Sequence, residues 1–288
     1  MGWDIAGKHV IVTGGNSGIG KATAEELARR GARVMITARD RTRGETAAAD
    51  IRRAAGAEVA MGLVDLSDLG SIRRFAEQYL GDHDRLDVLV NNAGVMSGGR
   101  RFTPDGFEWT FGVNHLGPFL LTNLLLESMI SSAPARIVNV SSGAHRSAAD
   151  GLDIDTVASG AGGYSASKAY ARSKLANILF TVELERRLDD TGVIAKALHP
   201  GVVATSFGKG DEGARWMGLL MTVLKPVLRK PSQGASTSVF LATADDDVVG
   251  RALYWSDSSP DEPIAAAVDP DAARRLWSLS ERLTRLER

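Results

Sequence analysis

The chain has 288 residues, enough to bury a sizeable core in one large domain or two small ones. Its 34 Lys and Arg against 35 Asp and Glu give a formal net charge of -1, so no bulk field draws in nucleic acid or an anionic membrane. The absence of cysteine excludes disulfides, thiolate zinc sites and cysteine nucleophiles, and suits a reducing cytosol.

The first ten residues have neither the charged region nor the apolar run of a signal peptide, and the expectation is a cytoplasmic protein. From there, short apolar runs at 9–13, 33–38, 59–65, 86–91, 136–141, 193–199 and 251–255 predict seven strands. Unbroken apolarity, as in Val88-Leu89-Val90, fits strands covered on both faces. Helical patterns at 20–30, 42–55, 69–80, 107–130 and 170–188 lie between them. The alternation requires right-handed crossovers and a mainly parallel sheet. The predicted fold class is therefore α/β: a single doubly wound Rossmann-type domain over residues 1–288, with a mainly parallel seven-stranded sheet.

Residues 144–163 and 206–231 interrupt this rhythm and are expected to border the site, because ligands in such sheets bind beyond the carboxyl ends of the strands. Within the second segment, Trp216, Met217, Leu219, Leu220, Met221, Val223 and Leu224 read as a cover for an apolar substrate, or as an ordinary amphipathic helix or oligomer face. The most apolar stretches, 116–126 and 216–228, are broken by polar residues and proline and fall short of the ~20 residues of a membrane span. No stable membrane insertion is expected.

Directly after the first predicted strand comes Thr13-Gly14-Gly15-Asn16-Ser17-Gly18-Ile19-Gly20. A pyrophosphate needs backbone N–H groups at a helix N-terminus with no Cβ in its way, and Gly14, Gly18 and Gly20 leave that room. This turn resembles the T-G-x-x-x-G-I-G segment of the short-chain dehydrogenase/reductase family. Asn91-Asn92-Ala93-Gly94, Asn114, Ser141-Ser142 and Pro200-Gly201 are similar, in the same order, to that family's later motifs. Within it, 114–119, 173–177 and 199–203 look most like the branch of retinol dehydrogenases and WW-domain oxidoreductases, although no WW domain is present.

The resemblance implies a nicotinamide dinucleotide held by Gly14, Asn16, Ser17, Gly18, Ile19 and Gly20, with Asp65 and Leu66 bordering the adenine. Asn91 would pin the turn after the fourth strand and line the cofactor path with Ala93 and Gly94. Pro200, Gly201, Val203 and Thr205 would meet the nicotinamide, Thr205 holding its carboxamide. Cofactor choice is read where the second strand ends, Thr37-Ala38-Arg39. Ala38 stands where a relative that prefers NAD usually carries Asp, and the planar fork of Arg39 suits a 2′-phosphate, so NADP(H) is expected and NAD(H) is the alternative.

Carbonyl reduction also needs a proton donor that steadies the developing alkoxide, and a tyrosine with a lysine one helical turn away can serve. The Y-x-x-x-K pattern occurs twice, as Tyr164/Lys168 and Tyr170/Lys174. The 30 positions from Tyr170 to Pro200, and the Leu175-Ala176-Asn177 that follows, match the resembled branch, whereas a helix cannot absorb six extra residues without moving the site. Tyr170 and Lys174 are therefore the predicted pair, both also meeting the cofactor, with the phenol's affinity for its proton lowered by the lysine; Tyr164 is a neighbour expected at the substrate. By resemblance Ser142 bonds the substrate oxygen and the backbone carbonyl of Asn114 holds a water in the proton relay. No metal is expected, since His115, His145 and His199 have no ligand spacing around them.

The function so predicted is an NADP(H)-dependent oxidoreductase interconverting a small apolar alcohol and its aldehyde or ketone, with a homodimer or homotetramer as the expected assembly. The alternatives are an NAD-dependent dehydrogenase and a nucleotide-binding redox sensor or scaffold that needs the glycine turn but not the Asn114, Ser142, Tyr170 and Lys174 set.

Overall fold

The computed structural model describes residues 3–201 and 229–286. Its eight-stranded sheet has the order β3-β2-β1-β4-β5-β6-β7-β8. The strands are β1 His9–Val12, β2 Arg33–Ala38, β3 Val59–Leu63, β4 Val88–Asn91, β5 Ala135–Val140, β6 Val193–His199, β7 Tyr254–Ser256 and β8 Ser259–Pro260. β1 to β7 pair in parallel, Val10 facing both Val34 and Val88 across the centre. The seven predicted strands are thus all present, and the eighth, two residues long and antiparallel to β7, is an addition too short to leave a hydrophobic pattern.

Two helical layers cover the sheet. One holds α1 Gly18–Arg29, α2 Arg41–Ala55 and, after the undescribed segment, α7 Pro231–Thr243; Leu27, Ile51 and Val239 pack with Val12, Ile36 and Val90. The other holds α3 Leu69–Asp82, α5 Gly117–Ser131, α6 Ala166–Arg187 and α9 Pro270–Thr284. There Phe119 and Phe180 meet Trp277 at ring separations of 5.0 and 5.8 Å, each such side chain contributing about 1.5–3 kcal/mol of burial. A short α8, Asp246–Val249, joins α7 to β7. Side chains set the helix starts: Asp40 accepts from Arg43 N to cap α2, and Asp68 accepts from Ser71 N to cap α3.

The helix predicted over 107–130 is broken. A single turn, α4 Trp109–Phe111, runs into a wide-turn π segment, Gly112–Leu116, before α5 begins. A hydrophobic pattern cannot distinguish one continuous helix from two joined by such a bulge, and bulges of this kind concentrate at functional sites. The strand order reverses between β1 and β4, which opens a crevice at their carboxyl ends.

Candidate active site

A cleft of about 840 Å³ occupies that crevice. Its floor is the turn between β1 and α1, where Gly14 and Gly18 have φ of 63° and 55°, the left-handed region that disfavours a side chain. Gly15 serves packing instead, since a Cβ there would lie 2.6 Å from Ile36 Cγ2. Ser17 caps α1 without a side-chain bond, so the first N–H groups of this 12-residue helix face the cleft with only the backbone around them. Gly14, Asn16, Ser17, Gly18, Ile19 and Gly20 all line it.

The turn is stitched to β4. Asn92 donates its Nδ2 to Thr13 O at 2.8 Å, while Thr13 Oγ1 accepts from the backbone N–H groups of Asn92 and Ala93 at 3.0 and 3.1 Å. A Cβ on Gly20 would fall 2.3 Å from Asn92 Nδ2, so this glycine is needed for the close approach of α1 to the stitch. Asn92 therefore does the pinning expected of Asn91. The Asn91 side chain is buried within the sheet, donating to Thr122 Oγ1 and to Asn139 Oδ1, and Asn139 Nδ2 continues to Thr181 Oγ1. Strand alternation explains the exchange, because consecutive residues point to opposite sides of a strand.

One end of the cleft carries Arg39 and Arg43, both exposed, together with Asp65 and Leu66. Asp40 also lines this end and caps α2 through one carboxylate oxygen, one Asp65 oxygen accepts from Ser67, and β2 itself ends in Ala38. Lys21 also lines the cleft but is paired with Asp50 at 2.7 Å. Arg43, in the first turn of α2, was not anticipated.

At the other end stand Tyr170, Lys174, Ala93, Gly94, Ser141 and Pro200. α6 starts at Ala166 with Ser165 as its cap, so Tyr170 and Lys174 lie within it, four residues apart on one face. Tyr164 precedes the cap, and its hydroxyl bonds Glu108 Oε1 and Ser97 O, both at 3.3 Å, tying the loop before α6 to the start of α4 rather than facing the cleft. Its Lys168 is exposed, whereas Lys174 is buried, donating to Val140 O at 3.0 Å with Nζ 5.7 Å from the Tyr170 ring centre.

Burial, not charge, dominates both groups. It pushes the Tyr170 phenol up to about 12, with the Ser142 hydroxyl bond pulling the other way, and pushes the Lys174 amine down to about 8. The lowering of the phenol expected from the lysine is thus absent from this site as it stands, since the amine donates to Val140 O and desolvation outweighs its charge. Ser142 and Asn114 sit behind the lining. Ser142 bonds Tyr170 and accepts from Ala144 N at 3.2 Å, while Ser141 anchors α6 by donating to Lys174 O at 2.7 Å. Asn114, in the π segment, clamps Val95 from both sides: it accepts from its N–H at 2.7 Å and donates to its carbonyl at 2.9 Å, and it also reaches Ser173 Oγ. Gly201 lies just beyond Pro200, outside the lining; Val203, Thr205 and the expected cover with Trp216 lie outside the described residues.

A glycine-floored crevice at a strand-order switch, with a tyrosine and a buried lysine at its inner end, defines a dinucleotide-binding oxidoreductase fold. Comparison with known proteins agrees. Residues 8–214 match the family model for short chain dehydrogenase. The chain is 46% identical to human retinol dehydrogenase 13, covering 98% of this chain and 86% of that protein, and 47% identical to mouse retinol dehydrogenase 12, covering 96% and 86%. Among solved structures, it is 36% identical to an uncharacterized protein from Mycobacterium paratuberculosis, with a TM-score of 0.74 over 100% of this chain and 99% of that one. A metagenomic short-chain oxidoreductase in complex with NADP matches at 28% identity and a TM-score of 0.62, over 85% and 94%. The chain belongs to the short-chain dehydrogenase/reductase family, as an enzyme acting on CH–OH groups.

Proposed function

We propose that this enzyme interconverts an apolar alcohol and its aldehyde or ketone with NADP(H), the whole chain acting as one catalytic unit. The observation that carries the cofactor reading is the cationic end of the cleft: Arg39 and Arg43 line it, and position 38, at the end of β2, carries an alanine in place of an acidic residue. Charge-assisted, bidentate bonds from guanidinium groups favour a phosphate there. The rest of the cleft fits the dinucleotide, with left-handed glycines and α1 N–H groups for the pyrophosphate, and Lys174 and Gly94 at the inner end, where a Cβ on Gly94 would lie 3.2 Å from Lys174 Nζ. Bound there, the nicotinamide supplies or accepts the hydride.

The residues of this chain would handle the proton. Tyr170 Oη gives a proton to the alkoxide oxygen in reduction and takes it from the alcohol in oxidation, while Ser142 Oγ, already bonded to the phenol, holds that oxygen. With the dinucleotide bound, Lys174 would orient the ribose and stabilise the ionised phenol, and Asn114, by holding Val95 on both sides, keeps the loop after β4 against Lys174. Val95, Met96, Trp109 and Val113 give the cleft an apolar wall. The names of the retinol dehydrogenase relatives make a retinoid-sized apolar alcohol the first substrate to assay.

Arg39→Ala tests the cofactor assignment. Loss of a charge-assisted bond worth about 1.5–3 kcal/mol raises the NADPH dissociation constant roughly 10- to 150-fold and leaves NADH nearly unchanged. Equal losses for both cofactors in a fluorescence titration would remove it.

A further inference from the structure

His199 ends β6, and the next residue, Pro200, lines the inner end of the cleft beside Tyr170 and Lys174. Pro200 restricts His199 to extended backbone, so the chain must turn at Gly201, whose φ is 74°. There the Gly201 N–H donates to His199 Nδ1 at 3.1 Å, and on the far side of the ring Nε2 lies 3.3 Å from Asp261 Oδ2. An Nδ1 that accepts carries no proton, so the neutral ring holds its proton on Nε2, directed at Asp261. Arg146 donates to the same Asp261 oxygen at 3.1 Å. The outer face of the turn is equally close-packed: a Cβ on Gly201 would lie 2.9 Å from a nitrogen of the Arg229 guanidinium, which is bonded through both nitrogens to Asp257. Asp257 and Asp261 flank β8, so the hairpin that the sequence pattern did not reveal anchors the turn from two sides.

We propose that His199 is a positioning residue for the nicotinamide end of the cleft: by accepting from the Gly201 N–H through Nδ1 it fixes the Pro200–Gly201 turn. This rests on the dinucleotide reading given above. The charged and titratable groups around the ring are Asp261 and Arg146 beyond Nε2, Asp257 with Arg229 beside Gly201, the Tyr254 ring at 5.9 Å, and His145 behind Tyr254 at 5.2 Å.

Two substitutions separate the ring's two contacts. The Oδ1 of His199→Asn takes the place of Nδ1 and keeps an acceptor for Gly201; the amide of His199→Gln reaches toward Asp261 and offers none. NADPH dissociation constants are measured by cofactor fluorescence on the full chain at pH 8. His199→Gln is expected to weaken NADPH roughly 5- to 10-fold at pH 8, the loss of one hydrogen bond to a fixed backbone, with His199→Asn restoring most of it. Equal constants for the two variants overturn the proposal. If His199→Gln fails to fold, Asp261→Leu, which strands the Nε2 proton and frees the other tautomer, should weaken NADPH about threefold, and no change there also overturns it. Should wild type prefer NADH, the NADP(H) reading fails, and the same comparison with NADH still tests His199.

Discussion

Tyr170 and Lys174 are moved in opposite directions by the same cause, the removal of water from around them, and this makes their substitutions separable. Tyr170→Phe keeps the ring and removes the hydroxyl with its proton, so turnover should fall by about 10²- to 10⁴-fold with NADPH binding nearly intact. Tyr164→Phe removes bonds to Glu108 and Ser97 at the margin of the loop and should retain most turnover. If the effects are reversed in a steady-state assay, the assignment of the pair is wrong. In the alcohol-oxidising direction the rate should climb with pH, because the productive phenol is ionised, and the climb should vanish in Tyr170→Phe. Lys174 carries a stability consequence as well. Its folded value of about 8 lies below the ordinary lysine value of 10.5, so at neutral pH the protonated amine is held against a desolvation penalty that fades as the pH rises from 8 to 10.5. Lys174→Met should therefore abolish activity and yet raise the unfolding free energy at pH 7 by about 1–3 kcal/mol, measured by denaturant titration. A destabilised variant would show that the bond to Val140 O outweighs that penalty.

Elements decide what single residues cannot. The choice of Tyr170 over Tyr164 was legible in the sequence as an interval to Pro200, and the start of α6 supplies its physical reason: only the second pair lies within the helix. The glycine turn was equally legible, because left-handed backbone and close approach restrict the residue type. Asn91 was not, since N-N-A-G does not reveal which of two adjacent asparagines faces the crevice until the strand's alternation is known. Asn91→Ala leaves buried partners on Thr122 and Asn139 unpaired and should cost about 2–4 kcal/mol in chemical denaturation, with NADPH affinity within about twofold of wild type. A loss of affinity without a loss of stability would return Asn91 to the cofactor path. The π segment was also hidden, because its residues are all buried and give no periodic signal. It places Asn114 where both polar ends of its side chain meet Val95.

At the scale of the molecule, acid should unfold the protein through a histidine buried behind the cleft wall. His115 lies in the core between Phe111, Phe119 and Phe180, its Nε2 bonded to Ser280, and burial alone lowers it to about 3 from 6.5. The unfolded chain takes up that proton below about 6.5 and the native one only near 3, so the stability present above 6.5 is lost as the pH falls through this window. His115→Gln should flatten the acid limb of a melting-temperature profile, and an unaltered limb would place the acid sensitivity elsewhere. Among the described residues no helix is long and apolar enough to cross a membrane. The architecture was readable because strand and helix alternate with distinct periods; β8 was not, being shorter than any pattern. The Thr13–Asn92 stitch has a wider meaning in this setting. It closes the seam at which the strand order reverses, so the glycine turn and both arginines belong to the first third of the chain, and the tyrosine and lysine to the remainder. A dinucleotide lying across the seam is a further cross-tie between two parts of the sheet already joined by the β1–β4 pairing and by the packing of α1 on α7 and of α3 on α5. Saturating it should therefore raise one cooperative melting transition rather than merge two.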